Sequence, residues 1–303
     1  MSVISTFGLI LALIVVGRIL RWRDWVPAGT ADSLNLVVLY VCLPAAILLH
    51  APQLTFEPEL VGLVAVPWVI LLASVALVLP LAKRLRFERD STANLLMQVP
   101  LGNTSFIGYA LIPVLAGAEA LRYAVVYDQL GSFLILATWG LFVVASHAGG
   151  TPPGLMAIAR RVLGFPPFIA LVFALTLMPA DPPTAIAQGL RVLADALLPI
   201  VVLALGMQLR LRLPRHYLLP LALGLSAKLL LMPLLAWGLC RVFGLSAEMS
   251  LVAVYLTAMP PMMTSAALLS SAGLAPQLAA ALVGYGTILS MLTLPIWHWI
   301  LNA

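Results

Sequence analysis

The stretch QVPLGNTSFIGY, Gln98 to Tyr109, interrupts an apolar run with Pro100, Gly102 and the polar trio Asn103, Thr104 and Ser105. Pro100 carries no backbone donor and disfavours helix in the residue before it, and Gly102 adds flexibility, so the helix is expected to open near residues 100 to 104. In hydrocarbon every released N–H or C=O group is costly unless protein, water or a ligand meets it. Irregular backbone at that depth therefore points to a cavity or a tightly packed crossing. Asn103, Thr104 and Ser105 are also residue types that cap a new helix beyond the break. AMPPMMTS, Ala258 to Ser265, predicts a second break, where Pro260 and Pro261 stop one half-helix and Thr264 or Ser265 starts the next.

Composition places both breaks in a bilayer. The chain is 63% hydrophobic and 9% charged, with a mean hydropathy of +1.10, against about 45–50% apolar and about 25% charged for soluble domains. Apolar runs long enough to cross the hydrocarbon core fill nearly the whole sequence. They read as ten spans, roughly 3–22, 33–51, 59–82, 92–116, 119–146, 165–180, 187–209, 216–240, 247–273 and 276–301. The first ends on Arg18, Arg21 and Arg23, has no cleavage site, and reads as an uncleaved span.

Basic residues divide unequally between the loops. Arg18, Arg21, Arg23, Lys83, Arg84, Arg86, Arg89, Arg160, Arg161, Arg210, Arg212 and Arg215 fall on one side, and Arg122, Arg191 and Arg241 on the other. The positive-inside rule then puts both termini on the non-cytoplasmic side of a bacterial-type inner membrane. Because these charges are spread between spans rather than gathered in one patch, nucleic acid is not an expected partner. Cys42 and Cys240 sit in separate apolar runs and read as packing residues. The four histidines lie near span ends without metal-ligand spacing, so neither metal nor cofactor is expected. Trp22, Trp25, Trp297 and Trp299 read as interfacial anchors.

A faint internal repeat shows in proline and aromatic positions. Pro67 and Pro80 match Pro220 and Pro233 with the same separation, as Tyr127 and Trp139 match Tyr285 and Trp297. Leu43-Pro44 matches Leu198-Pro199, and Pro100-x3-Thr104-Ser105 matches Pro260-x3-Thr264-Ser265. A repeat of five spans is odd in number, so the second copy crosses in the opposite sense. The expected fold is an all-α membrane protein of ten transmembrane helices. It comprises two inverted five-helix repeats, residues 1–151 and 152–303, with discontinuous crossing helices four and nine. Two half-helix N-termini near one another at mid-membrane favour an anion.

Three ionisable residues fall inside spans: Asp128 in span five, Asp195 in span seven and Lys228 in span eight. Each is costly there and is a functional hypothesis by default. Lys228 reads as the partner of a bound carboxylate, or of Asp195 or Asp128, while the two aspartates are candidates for a proton relay. No HExxH, GxSxG or P-loop is present, and no His/Asp set gathers in one place, which argues against an enzyme.

PLGNTSFIGYALIPVLAG, AMPPMMTSAALL and the downstream run LAAALVGYGTILSMLTLPIW resemble the auxin efflux carrier family, whose bacterial members include carriers of malonate and similar carboxylates. FPPFIALVFALTL at the start of span six and AKLLLMPLLA in span eight extend the resemblance over all ten spans. It implies two inverted five-helix repeats with spans four and nine crossing as broken helices, similar to bile acid symporters. Where the family usually has an asparagine after the Pro-Pro pair, this chain has Met263-Thr264, which leaves less hydrogen-bonding capacity on the span-nine side.

The combined expectation is a secondary transporter of small mono- or dicarboxylates working by alternating access at the four/nine crossover. The proposed substrate contacts are Asn103, Thr104, Ser105, Thr264, Ser265 and Lys228. An anion channel and a sodium-coupled bile-acid-type symporter are the alternatives. Span nine carries only Glu248, near its outer end, which favours proton coupling or uniport over sodium. A homodimer is compatible with the sequence, although no interface is legible.

Overall fold

Apolarity this continuous leaves helix as the only way to satisfy the backbone inside each segment. In the computed structural model, which describes residues 3–55, 57–149, 154–209 and 213–302, the chain is helical throughout. Among the described residues the one extended pairing is an isolated antiparallel bridge between Gly102 and Pro261. Arg210 and Arg212 of the charge count lie outside the described residues.

The helices are α1 (Val3–Trp22), α2 (Thr30–Gln53), α3 (Glu59–Leu85), α4 (Arg89–Gln98), α5 (Thr104–Leu115), α6 (Ala118–Ala148), α7 (Leu155–Leu163), α8 (Pro166–Thr176), α9 (Thr184–Gln208), α10 (Arg215–Val242), α11 (Ala247–Ala258), α12 (Met263–Ser271) and α13 (Pro276–Asn302). Six of them, α2, α3, α6, α9, α10 and α13, are long and apolar enough to cross a membrane, and the pair α7 and α8, bent by 68°, makes up to seven. The segments expected as spans four and nine are each divided into two helices shorter than a bilayer crossing. Large apolar side chains such as Val61, Leu72, Leu230 and Leu292 point outward, as lipid-facing surfaces require.

Two compact units emerge, and each draws on both halves of the chain. The first comprises residues 1–56, 105–125 and 163–209. Within it α1 and α9 touch backbone to backbone, because a Cβ on Gly17 would strike the Leu203 carbonyl and one on Gly206 the Ile14 carbonyl. Small residues at such a crossing let dispersion replace the missing hydrophobic drive in lipid. Arg18 adds a hydrogen bond to the Leu209 carbonyl at 3.2 Å, and Gln208 one to Asp32 at 3.0 Å.

The second unit comprises residues 57–104, 126–162 and 210–303. Its interior is rich in proline, and two tryptophans repair the ladder that proline breaks. Pro100 has no N–H to give the Leu96 carbonyl four residues earlier, and Trp139 Nε1 donates to that oxygen at 3.1 Å. Pro233 leaves the Leu229 carbonyl in the same state, and Trp297 Nε1 donates to it at 3.0 Å.

The expectation of four interfacial tryptophans is therefore corrected for Trp297, which is 6% exposed, while Trp22, Trp25 and Trp299 are well exposed. Removing either repairing donor strands a buried carbonyl, at about 1–3 kcal/mol. Trp139→Phe and Trp297→Phe should each lower the thermal unfolding midpoint of the purified protein, and Trp299→Phe should leave it unchanged. Equal midpoints in all three variants would refute the repair role.

Candidate functional site

The two breaks meet inside the second unit. After Gln98 the chain turns through Val99 and Pro100 and re-enters helix at Thr104. After Ala258 it runs extended through Met259 and Met262 and resumes at Met263. The released backbone groups satisfy one another. Asn103 N donates to the Pro260 carbonyl at 2.8 Å and Met262 N donates to the Leu101 carbonyl at 3.1 Å. Pro260 and Pro261 cannot donate, so the pairing uses Pro260 as acceptor and the flanking Met262 as donor. This crossing is the physical answer to the interruption in QVPLGNTSFIGY.

The approach is close enough to require a glycine. A Cβ on Gly102 would lie 2.9 Å from the Leu256 carbonyl oxygen and 3.1 Å from Lys228 Nζ. Lys228 is 1% exposed and donates to the Thr257 carbonyl at 3.0 Å. Thr257 also ties in span five, because its hydroxyl donates to Ala253 O and accepts from Tyr127 OH at 2.8 Å. The next residue, Asp128, is fully buried. Its Oδ1 accepts from the Thr104 hydroxyl and its Oδ2 from Gln129 Nε2 at 2.8 Å. Asp128 and Lys228 both sit in π-helical stretches, Asp128–Ser132 and Ala227–Leu231, a backbone distortion frequent at functional sites.

Asn103 is 1% exposed. Its backbone is held by Pro260, yet its side-chain Nδ2 is buried without a hydrogen-bond partner among the described residues. Gln98, fully buried one turn away, leaves its Nε2 unpartnered as well. Ser265 Oγ lies 2.8 Å from Met262 O and 3.2 Å from Gln98 Oε1, and its one proton can serve only one of them. Buried amide donors are usually paired in native structures, and these two lie beside one crossing.

The structure thus brings together Pro100, Gly102, Asn103, Thr104, Asp128, Lys228, Pro260, Pro261 and Ser265. Ser105 is half-buried and begins the stretch of the chain assigned to the first unit. Thr264 is exposed and takes no part in the network. Neither Thr264 nor Ser265 caps α12: the helix starts one residue early, and Met262 stands at the cap position without a side-chain bond. Asp195 ends the Thr184–Asp195 segment of α9 in the first unit and is exposed. Lys228 has no carboxylate partner among the described residues, contrary to the ion pair considered from sequence.

Gln98 escaped the sequence reading although it opens the interrupted stretch. The available signal was its position: a polar side chain in the last helical turn before the proline faces the same crossing as Asn103. An apolar cavity of about 370 Å³, bordered by Leu81, Leu95, Val99, Gly224 and Leu231, also lies in this unit. It carries almost no polar surface and cannot by itself recognise an anion.

The sequence matches the model of a family described as membrane transport protein over residues 3–153 and 155–298. An uncharacterized transporter of Methanothermobacter thermautotrophicus is 28% identical over 295 residues, with 96% of each chain covered. The uncharacterized transporter MJ1031 of Methanocaldococcus jannaschii is 24% identical over 305 residues, with 97% of each covered.

Proposed function

We propose that this chain, which belongs to the membrane transport protein family that the sequence resembles as auxin efflux carriers, moves small organic anions by alternating access at the crossing of its two broken helices. That it is a multi-pass membrane transporter follows from the family and the apolar helices. The observation that carries the anion reading is Asn103 Nδ2, a buried donor held in place by backbone pairing and left without an acceptor among the described residues. A carboxylate oxygen completes it, with the buried Lys228 ammonium supplying the balancing positive charge.

Substrate contacts are assigned to Asn103, Thr104 and Ser265, with Thr264 at the margin and Lys228 acting through its charge. Ten spans in two inverted repeats accommodate the helices, α4 with α5 and α11 with α12 each forming one interrupted crossing. Support for the repeat comes from the compact units, in which residues 1–56 fall together with 163–209, and 57–104 and 126–162 together with 210–303. The charge asymmetry supports an orientation with both termini outside the cytoplasm.

Purified protein in liposomes, screened with radiolabelled acetate, malonate and indole-3-acetate, tests the proposal. Saturable uptake with counterflow of at least one carboxylate is the expected result. Electrogenic flux that rises linearly with concentration and shows no counterflow would replace the carrier with a channel.

A further inference from the structure

Lys228 meets the C-terminal end of α11, one half of the second broken crossing. α11 ends at Ala258, where Met259 N donates to Leu256 O at 3.3 Å, and the carbonyls of its last turn carry the negative end of the helix dipole. Half-helix C-termini and unwound carbonyls of this kind hold the coupling ion in many secondary transporters. Here Lys228 Nζ already donates to Thr257 O at 3.0 Å. The ammonium and the Leu256 carbonyl both crowd the same face of Gly102, so the carbonyl end, the lysine and the first break converge at one point. No cluster of three or more His, Cys, Asp or Glu side chains that could hold a metal ion exists among the described residues.

We infer that Lys228 is a tethered cation, its ammonium standing on the end of α11 in the place a coupling metal ion would otherwise take, so that the crossing is complete without sodium. The unbranched side chain reaches that point from the π-helical stretch Ala227–Leu231. Gly102 provides the room, since any side chain there would press on both the nitrogen and the Leu256 carbonyl. A lysine used in this way costs its desolvation once, at folding, and removes the dependence on an external ion. The inference rests on the crossing and not on the identity of the transported anion.

The test reads thermal unfolding of the purified protein in chloride salts of choline, sodium or ethylammonium at constant ionic strength, with no substrate present. Wild-type midpoints should coincide in the three salts, and saturable stabilisation of the wild type by sodium would overturn the inference. Lys228→Ala should lower the midpoint in choline by roughly 5 °C or more. Ethylammonium or sodium should recover at least half of that loss with a saturating dependence, because the truncated side chain opens a space for either ion.

Lys228→Met keeps the length of the side chain without its charge, and should lose stability while remaining indifferent to all three salts. Full wild-type stability in Lys228→Met would show that the carbonyl end needs no cation. A Lys228→Ala protein that responds to neither ion would show the same. Since no substrate enters the measurement, its failure leaves the organic-anion reading intact, and loss of carboxylate transport in the liposome assay would leave this result standing.

Discussion

Asn103→Leu is expected to weaken carboxylate binding by roughly tenfold to a hundredfold and to leave the protein as stable as the wild type or more so. The two effects have opposite signs for one reason. In the empty site the Asn103 amide is buried with an unpaired Nδ2, and such a group penalises the fold by about 1–3 kcal/mol. Leucine, of similar size, removes that penalty, while the backbone bond from Asn103 N to Pro260 O does not depend on the side chain. In the proposed site the same donor would face a substrate carboxylate, and a hydrogen bond to a charged group contributes about 1.5–3 kcal/mol, so its loss should cost roughly tenfold to a hundredfold in affinity.

A merely structural asparagine predicts the reverse, lower stability with unchanged affinity. Asn103→Asp provides the complementary case, since it places a negative charge where the anion should sit and should repel it. Thr264→Val should cost no more than about 1 kcal/mol of binding, the value of one neutral hydrogen bond, given that Thr264 is exposed. Calorimetric titration of purified variants, with unfolding midpoints measured on the same samples, checks all three. Wild-type affinity in Asn103→Leu would reduce the interruption in QVPLGNTSFIGY to a packing feature, and the transport site would have to be sought elsewhere.

The breaks were legible because proline and glycine act on the backbone locally. Pro100 and Gly102 say that the helix must open without reference to anything else in the chain. What they cannot say is which groups meet the freed peptides, and the pairing of Gly102 with Pro261 joins segments far apart in sequence. The same division runs through the tryptophans. That Leu96 and Leu229 lose their usual donors follows from Pro100 and Pro233 alone. The repair by Trp139 and Trp297 depends on tertiary placement, and an aromatic near a span end reads by default as an anchor.

Helix phase accounts for the remaining differences. α12 begins at Met263 rather than on a capping hydroxyl, and this turns Ser265 inward and Thr264 out. Lys228 was recognisable as buried from its apolar neighbours, because an ammonium in mid-span cannot reach water. Its acceptor, the backbone carbonyl of Thr257, leaves no mark in the sequence, whereas a carboxylate partner would have. Asp128 and Asp195 looked equivalent as intramembrane aspartates, and only the fold separates a fully buried carboxylate from an exposed one.

That separation makes Asp128 the carboxylate whose neutralisation should uncouple transport from a proton gradient. The Thr104 hydroxyl donates to Asp128 Oδ1 and Gln129 Nε2 to Oδ2, so an ionised Asp128 engages a donor that the substrate anion also needs. Two carboxylates about 4 Å apart repel by about 4 kcal/mol at an effective dielectric constant of about 20, enough to keep both from being ionised together. An anion bound beside Thr104 would therefore be linked to a proton at Asp128, the linkage a proton–anion symporter requires.

Asp128→Asn fixes the neutral state. It should preserve counterflow of labelled carboxylate at equal concentrations on both sides and abolish accumulation driven by an inward proton gradient. Asp195→Asn, altering an exposed side chain in the other unit, should leave gradient-driven accumulation within about twofold of the wild type, as expected for surface substitutions. Paired counterflow and accumulation assays on the single and double mutants decide the matter. Concentrative uptake that survives in all of them would exclude both aspartates as coupling groups, and the wild-type carrier would then be a uniporter whose charge balance at the crossing is set by Lys228 alone.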